Sequence, residues 1–250
     1  MSSSKLQAVR EAVRAIEAPA APGEDRSLAF GIPDIDGRLA SGGLRTDALH
    51  EVTGTSSSLA DDAAATLFAA GLAARSVPAN SAILWVMTRR DLFAPALAQA
   101  GLPPHRLIYA DCSKDEDALA VMEEGLRHGG LATVVGEIVR ATMTATRRLQ
   151  LAAEESATMA LMIRRWRRSE DDPLAAPSAA ATRWRIGCTP SLELPVPGIA
   201  RPRWRIELAR QRGGEPYHWI MEGTDEAGRL AIPAEPQHRT AAADQSRAAA

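Results

Sequence analysis

The chain has 250 residues, 46% of them hydrophobic, and a formal net charge of -2. It is long enough to bury one sizeable core, and its overall charge supplies no electrostatic reason to seek nucleic acid or an anionic membrane. Its only lysines are Lys5, in the first turns of the chain, and Lys114, in an acidic run; neither suits a phosphate-binding loop or a Schiff-base enzyme. Leu6, Val9, Val13 and Ile16 recur at spacings of three and four, which predicts a short amphipathic helix over 5–17 with a candidate partner-binding stripe. Residues 18–25 break it with two prolines and a glycine, so residues 1–25 read as a helix on a linker.

From there to residue 232 short apolar runs alternate with helical stretches. Ala48–Thr53 reads as a strand, 59–75 as a helix, and Ala82–Met87 as a strand buried on both faces. A helix over 91–100 ends at Gly101, and a strand over 106–110 follows. A helix over Asp115–His128 carries acids at its start and Gly129-Gly130 after its end, as the helix dipole favours. A strand over 131–135, a helix over 142–155 and a strand over 158–163 complete the series. This alternation predicts an α/β fold with a doubly wound, mainly parallel sheet. Arg183–Cys188, Arg203–Arg212 and Tyr217–Glu222 read as strands with no intervening helix, hence an antiparallel C-terminal extension. The composition of 233–250 is that of a disordered tail.

The segment Ser41–Thr66 has the layout of a nucleotide-binding fold: a Gly-Gly turn, a strand, a small-residue loop and a helix. A working loop of pattern G-x-x-x-x-G-K-[ST] cradles phosphates with backbone N–H groups, while its lysine neutralises them and its hydroxyl holds magnesium. With Gly54 as the first glycine, Leu59 falls at the second glycine, Ala60 at the lysine and Asp61 at the hydroxyl. Asp61 and Asp62 would repel a triphosphate. Ser58-Leu59-Ala60-Asp61 instead matches a capping box, with the Ser58 hydroxyl accepting the N–H of residue 61 and the Asp61 carboxylate reaching back to Ser58. The loop is expected to be degenerate and empty, with no cofactor.

Phe30–Gly54 resembles the entry to the ATPase core of RecA-like recombinases. Arg147–Arg165, Thr182–Ser191 and Arg201–Gly223 resemble a narrower group, the ImuA family of bacterial damage-induced mutagenesis operons. The activating glutamate of the recombinases would fall within Met87–Arg90, which holds no acid. Gly136 stands at their magnesium-associated aspartate, with Glu137 one residue late. The resemblance therefore implies a non-catalytic accessory protein of SOS-controlled, error-prone translesion synthesis. Its implied partners are an ImuB-like inactive Y-family polymerase relative, an error-prone C-family polymerase and RecA. A SulA-like inhibitor of cell division and a RecA-like ATP- and DNA-binding protein are the alternatives.

The remaining constellations carry little chemistry. The five histidines lack metal-ligand spacing, and Cys112 and Cys188 form no CxxC pair, which fits reduced thiols in a cytoplasm. No stretch has the length and apolarity to span a bilayer, and the N-terminus has no signal-peptide core. Between Arg164 and Arg212 eleven arginines face five acids, with Trp166, Trp184 and Trp204 among them. Arg and Trp of this kind serve a solvated strand face, a protein interface or nucleic-acid contact, and all three stay open. Trp184, Arg185, Arg203, Trp204 and Arg205 are the candidate partner-binding residues of this region.

Overall fold

The computed structural model describes residues 26–76, 81–192, 198 and 200–233. The predicted N-terminal helix with Leu6, Val9, Val13 and Ile16, and the C-terminal tail, lie outside these residues. The fold is the α/β architecture that the alternation of apolar runs predicts. One eight-stranded sheet has the order β10-β9-β8-β3-β7-β6-β4-β5. Its strands are β3 (Leu49–Gly54), β4 (Ile83–Met87), β5 (Leu107–Asp111), β6 (Thr133–Ile138), β7 (Met159–Arg164), β8 (Thr182–Thr189), β9 (Arg203–Gln211) and β10 (Tyr217–Glu222). Strands β3 to β8 pair in parallel, and β9 and β10 continue the sheet antiparallel.

The central strands β3, β4, β6 and β7 are buried at every position. That is why they read as unbroken apolar runs rather than alternations: helices cover both faces. On one face α2 (Leu59–Ala74) and α3 (Ala94–Gln99) bury Phe68, Leu72 and Leu97 against Val52, Trp85, Leu161 and Trp184. On the other, α4 (Asp115–His128) and α5 (Met143–Ser156) bury Met122, Leu126 and Leu149 against Leu49, Val134 and Met162.

Two expectations are refined. The strand over 182–189 both ends the parallel part and begins the antiparallel extension, because it pairs in parallel with β3 and antiparallel with β9. The stretch 165–181 supplies the dozen or more residues that a parallel crossover needs, without forming a helix. The helix predicted from residue 91 begins only at Ala94, because Pro95 in its first turn would clash with the carbonyl of residue 91 had the helix begun there. A two-stranded pair, β1 (Ser27–Leu28) with β2 (Leu44–Arg45), and a one-turn helix α1 (Pro33–Asp36) went unpredicted. Elements this short carry no hydrophobic period.

Candidate functional site

The loop between β3 and α2 lies at the carboxyl ends of the parallel strands, where ligands bind in open α/β sheets. Gly54 ends β3, and a Cβ there would come within 2.9 Å of the Ser56 carbonyl oxygen, so the helix start packs directly over this glycine. Ser58 is the N-cap, its hydroxyl accepting the N–H of Asp61 at 3.2 Å, as predicted. The reciprocal half of the box does not form. Ser58 N–H donates to the Ser56 hydroxyl at 3.2 Å. The Asp61 carboxylate turns outward and accepts the Ser56 hydroxyl at 2.7 Å and the backbone N–H of Cys188, on β8, at 2.8 Å. Asp61 thus straps the helix start to the neighbouring strand. Leu59, at the position of the second glycine, is 88% exposed, and the Ala60 carbonyl accepts the Cys188 thiol at 3.3 Å. Burial, and then the Asp61 carboxylate, push the Cys188 thiol up, so it is a poor nucleophile.

Below the loop lies a group of charges that single residues in the sequence do not advertise. Arg165, just past β7, donates from its Nε and one terminal nitrogen to Glu137 Oε2 on β6, at 3.1 and 2.8 Å. Its other terminal nitrogen reaches Asp62 Oδ1 in the first turn of α2 at 2.8 Å. The indole N–H of Trp85, on β4, donates to Glu137 Oε1 at 2.8 Å. Burial on its own would lower the Arg165 pKa, but the charges of Glu137 and Asp62 outweigh it and raise it, so the cation is secure. Trp166 completes the group, its indole N–H donating to the Gly54 carbonyl at 3.0 Å. One guanidinium therefore joins three elements, β6, β7 and the first turn of α2.

A second buried group lies one strand away. Glu51, on β3, accepts Arg164 at 3.1 Å, Arg183 at 2.7 Å and the Ser178 hydroxyl at 2.9 Å. Arg164 and Arg165 are neighbours in sequence and meet different carboxylates, one toward each face of the sheet, as strand alternation requires. Sequence reasoning set Glu137 aside and left these arginines open among a solvated face, a protein interface and nucleic-acid contact. The signal was present in another form: a lone acid in LHEVTG and another in VVGEI, each within an apolar strand, must find a cation once buried. A side chain at Gly136 would press on the Met122 side chain of α4. Among the described residues no His, Cys, Asp and Glu cluster could hold a metal.

The candidate docking residues divide. Trp184 and Trp204 are 0% and 1% exposed, so they are core residues and are withdrawn as contact residues. Trp184 packs with Phe30, Phe68 and Trp219 at ring-centroid distances of 5.7–6.4 Å. Alternation along the strand turns the flanking arginines to the opposite face. Arg205 is exposed, Arg203 is half-buried, and Arg185 pairs with Asp172 at 2.8 Å.

At the opposite end of the sheet a cavity of about 750 Å³ lies between the 37–45 segment and the hairpin turn 211–217. Arg38 stacks over the Tyr217 ring at 4.0 Å there, and Gln211 ties the walls together through Ala40 N–H at 3.1 Å and the carbonyls of Arg38 and Glu215, both at 2.9 Å. On its floor His50 bonds the Thr182 hydroxyl at 2.7 Å and the Arg45 carbonyl at 2.8 Å. Burial pushes the His50 pKa down to about 4, so the ring is neutral at physiological pH.

No protein-family model matches the chain. Two curated relatives, both Protein ImuA from Caulobacter vibrioides (strain NA1000 / CB15N and strain ATCC 19089 / CIP 103742 / CB 15), are each 39% identical to it over 210 residues. The alignment covers 80% of this chain and 84% of each relative. The chain belongs to the ImuA family. Among the described residues no helix is long and apolar enough to cross a membrane.

Proposed function

We propose that this ImuA-family chain is a non-catalytic accessory protein of damage-induced, error-prone translesion DNA synthesis, acting in the cytoplasm by protein contact. Its partners in this reading are an ImuB-like inactive Y-family polymerase relative, an error-prone C-family polymerase and RecA. The observation that carries the non-catalytic part is the closure of the α2 start upon itself. The Ser58 hydroxyl takes the Asp61 N–H and the Asp61 carboxylate straps the helix start to β8, while Arg165 supplies a cation already neutralised by Glu137 and Asp62. A triphosphate arriving there meets Asp61 and Asp62 instead of a lysine. The contact surfaces are residues 1–25 and the arginine face of β8 and β9, where Arg203 and Arg205 point away from the core.

Two measurements test this. Titration calorimetry of the full chain with ATP and magnesium is expected to give no micromolar binding, and such binding would overturn the reading of the loop. In pull-downs with an ImuB-like partner, deletion of residues 1–22 and the charge reversals Arg203→Glu and Arg205→Glu should each weaken capture. Capture that is equal to that of the unaltered chain in both cases removes both surfaces.

A further inference from the structure

The two edges of the sheet are treated differently. At β10, Glu222 exchanges backbone bonds with Ala231 at 2.8 and 3.4 Å, so the returning chain covers part of that edge. At β5 the sole described neighbour is β4. Cys112 N–H donates to the Met87 carbonyl at 2.9 Å, and Met87 stands opposite Asp111 in the ladder. In a parallel ladder that arrangement turns the N–H and C=O groups of Ile108 and Ala110 toward β4. Those of Leu107, Tyr109 and Asp111 then point away from the sheet.

This edge is also apolar. Ile108 is 50% exposed and Tyr109 44% exposed, and adjacent strand residues face opposite sides, so an uncovered apolar side chain flanks the edge above and below. Proteins guard such edges with proline, lysine or a bulge, and Leu107–Asp111 contains no proline, glycine or lysine. Asp111 at its end is already paired with Arg90, and Arg106 before it is buried against the Ala74 and Ser81 carbonyls, so the strand itself offers a neutral edge.

We infer that β5 pairs with β5 of a second copy of this chain, antiparallel and with Tyr109 opposite Tyr109, to make one continuous sheet. Parity fixes the register. Leu107 meets Asp111 and Tyr109 meets its mate, so every outward-facing N–H and C=O group of the strand finds a partner, about six bonds in all. A slip of one residue sets outward groups against residues already bonded to β4. In the same register Ile108 lies across from Ala110 of the second copy, which covers both exposed side chains. Antiparallel pairing relates the two copies by a two-fold axis, so both use the same strand and the contact closes as a dimer. The inference is independent of the reading of the phosphate loop.

Sedimentation equilibrium of the full chain tests it. A reversible dimer is expected below about 100 µM, with the dissociation constant raised at least about tenfold by Tyr109→Pro and by Ile108→Lys. The proline removes an N–H that points away from the sheet, where an edge strand tolerates it, so circular dichroism and Tm should be unchanged. Ile108→Lys acts through the side chain alone and serves if the proline perturbs folding. In a background of Cys112→Ser and Cys188→Ser, Tyr109→Cys should form an intermolecular disulfide, whereas Ile108→Cys should not. A monomer at every concentration overturns the inference. So does a dimer indifferent to both substitutions, the reverse cross-linking pattern, or dimerisation that begins only when residues 1–25 or 234–250 are deleted. The last result would show that the chain covers its own edge.

Discussion

Arg165 shows how one residue can tie together elements far apart in the chain. Its charge is matched by Glu137 and Asp62, and Glu137 is in turn held by Trp85, so no member of the group is left alone. Breaking such a pair leaves a buried charge uncompensated, which costs about 3–5 kcal/mol, whereas replacing both partners is close to neutral. Glu137→Ala should therefore lower unfolding free energy by about that amount in chemical denaturation. Arg165→Met with Glu137→Gln should recover most of it, and a double variant as unstable as the single one would show that the pair matters through packing. His50 gives a second test at this scale. Its pKa is about 4 folded, against 6.5 in the unfolded chain, so the unfolded state binds more protons between those values. Stability should be full above about pH 6.5, fall by about 3 kcal/mol as pH drops toward 4, and level off below. His50→Gln should flatten that part of the profile, as read from denaturant midpoints across pH.

Elements were legible where their residues share one environment. The central strands announced themselves because both faces are buried, and α4 because its acids, apolar stripe and Gly129 all agree. The Arg/Trp strands were legible as strands, but their role was not, since alternation gives the two faces without saying which one a partner sees. Burial settles it: Trp184 fills the space between α2 and the sheet, in contact with Phe68. Trp184→Ala should cost about 3–5 kcal/mol in folding free energy. In a pull-down normalised to folded protein it should leave partner capture unchanged, and loss of capture without loss of stability would return this tryptophan to the interface. The elements missed, β1, β2 and α1, are too short for any period. The start of α3 is a case of local chemistry, Pro95, prevailing over an apolar pattern.

For the whole molecule, the sheet order and the buried ion groups could not be read along the chain because their members are far apart in it. Glu51 meets Arg164, Ser178 and Arg183 at separations of 113 to 132 residues. A sequence shows that a buried acid requires a cation, but only the fold selects which. The Arg165 group was likewise hidden from the sequence, because Arg165 lies 103 residues from Asp62.

The Glu51 group has one more consequence, for how the chain tolerates added sequence. Arg164 is the last residue before the 165–181 crossover, Ser178 lies near its end and Arg183 just beyond, and all three are fastened to the same carboxylate. The crossover is thus a noose drawn tight at one point, with its neck held inside the protein. Once a neck is fixed, the entropy of what hangs from it grows only with the logarithm of its length, about 0.6 kcal/mol for each doubling. Sequence inserted near Ser169 and Glu170 would lengthen the noose without loosening the knot. This is where a descendant of the fold can acquire a new module while the sheet beneath it stays as it is.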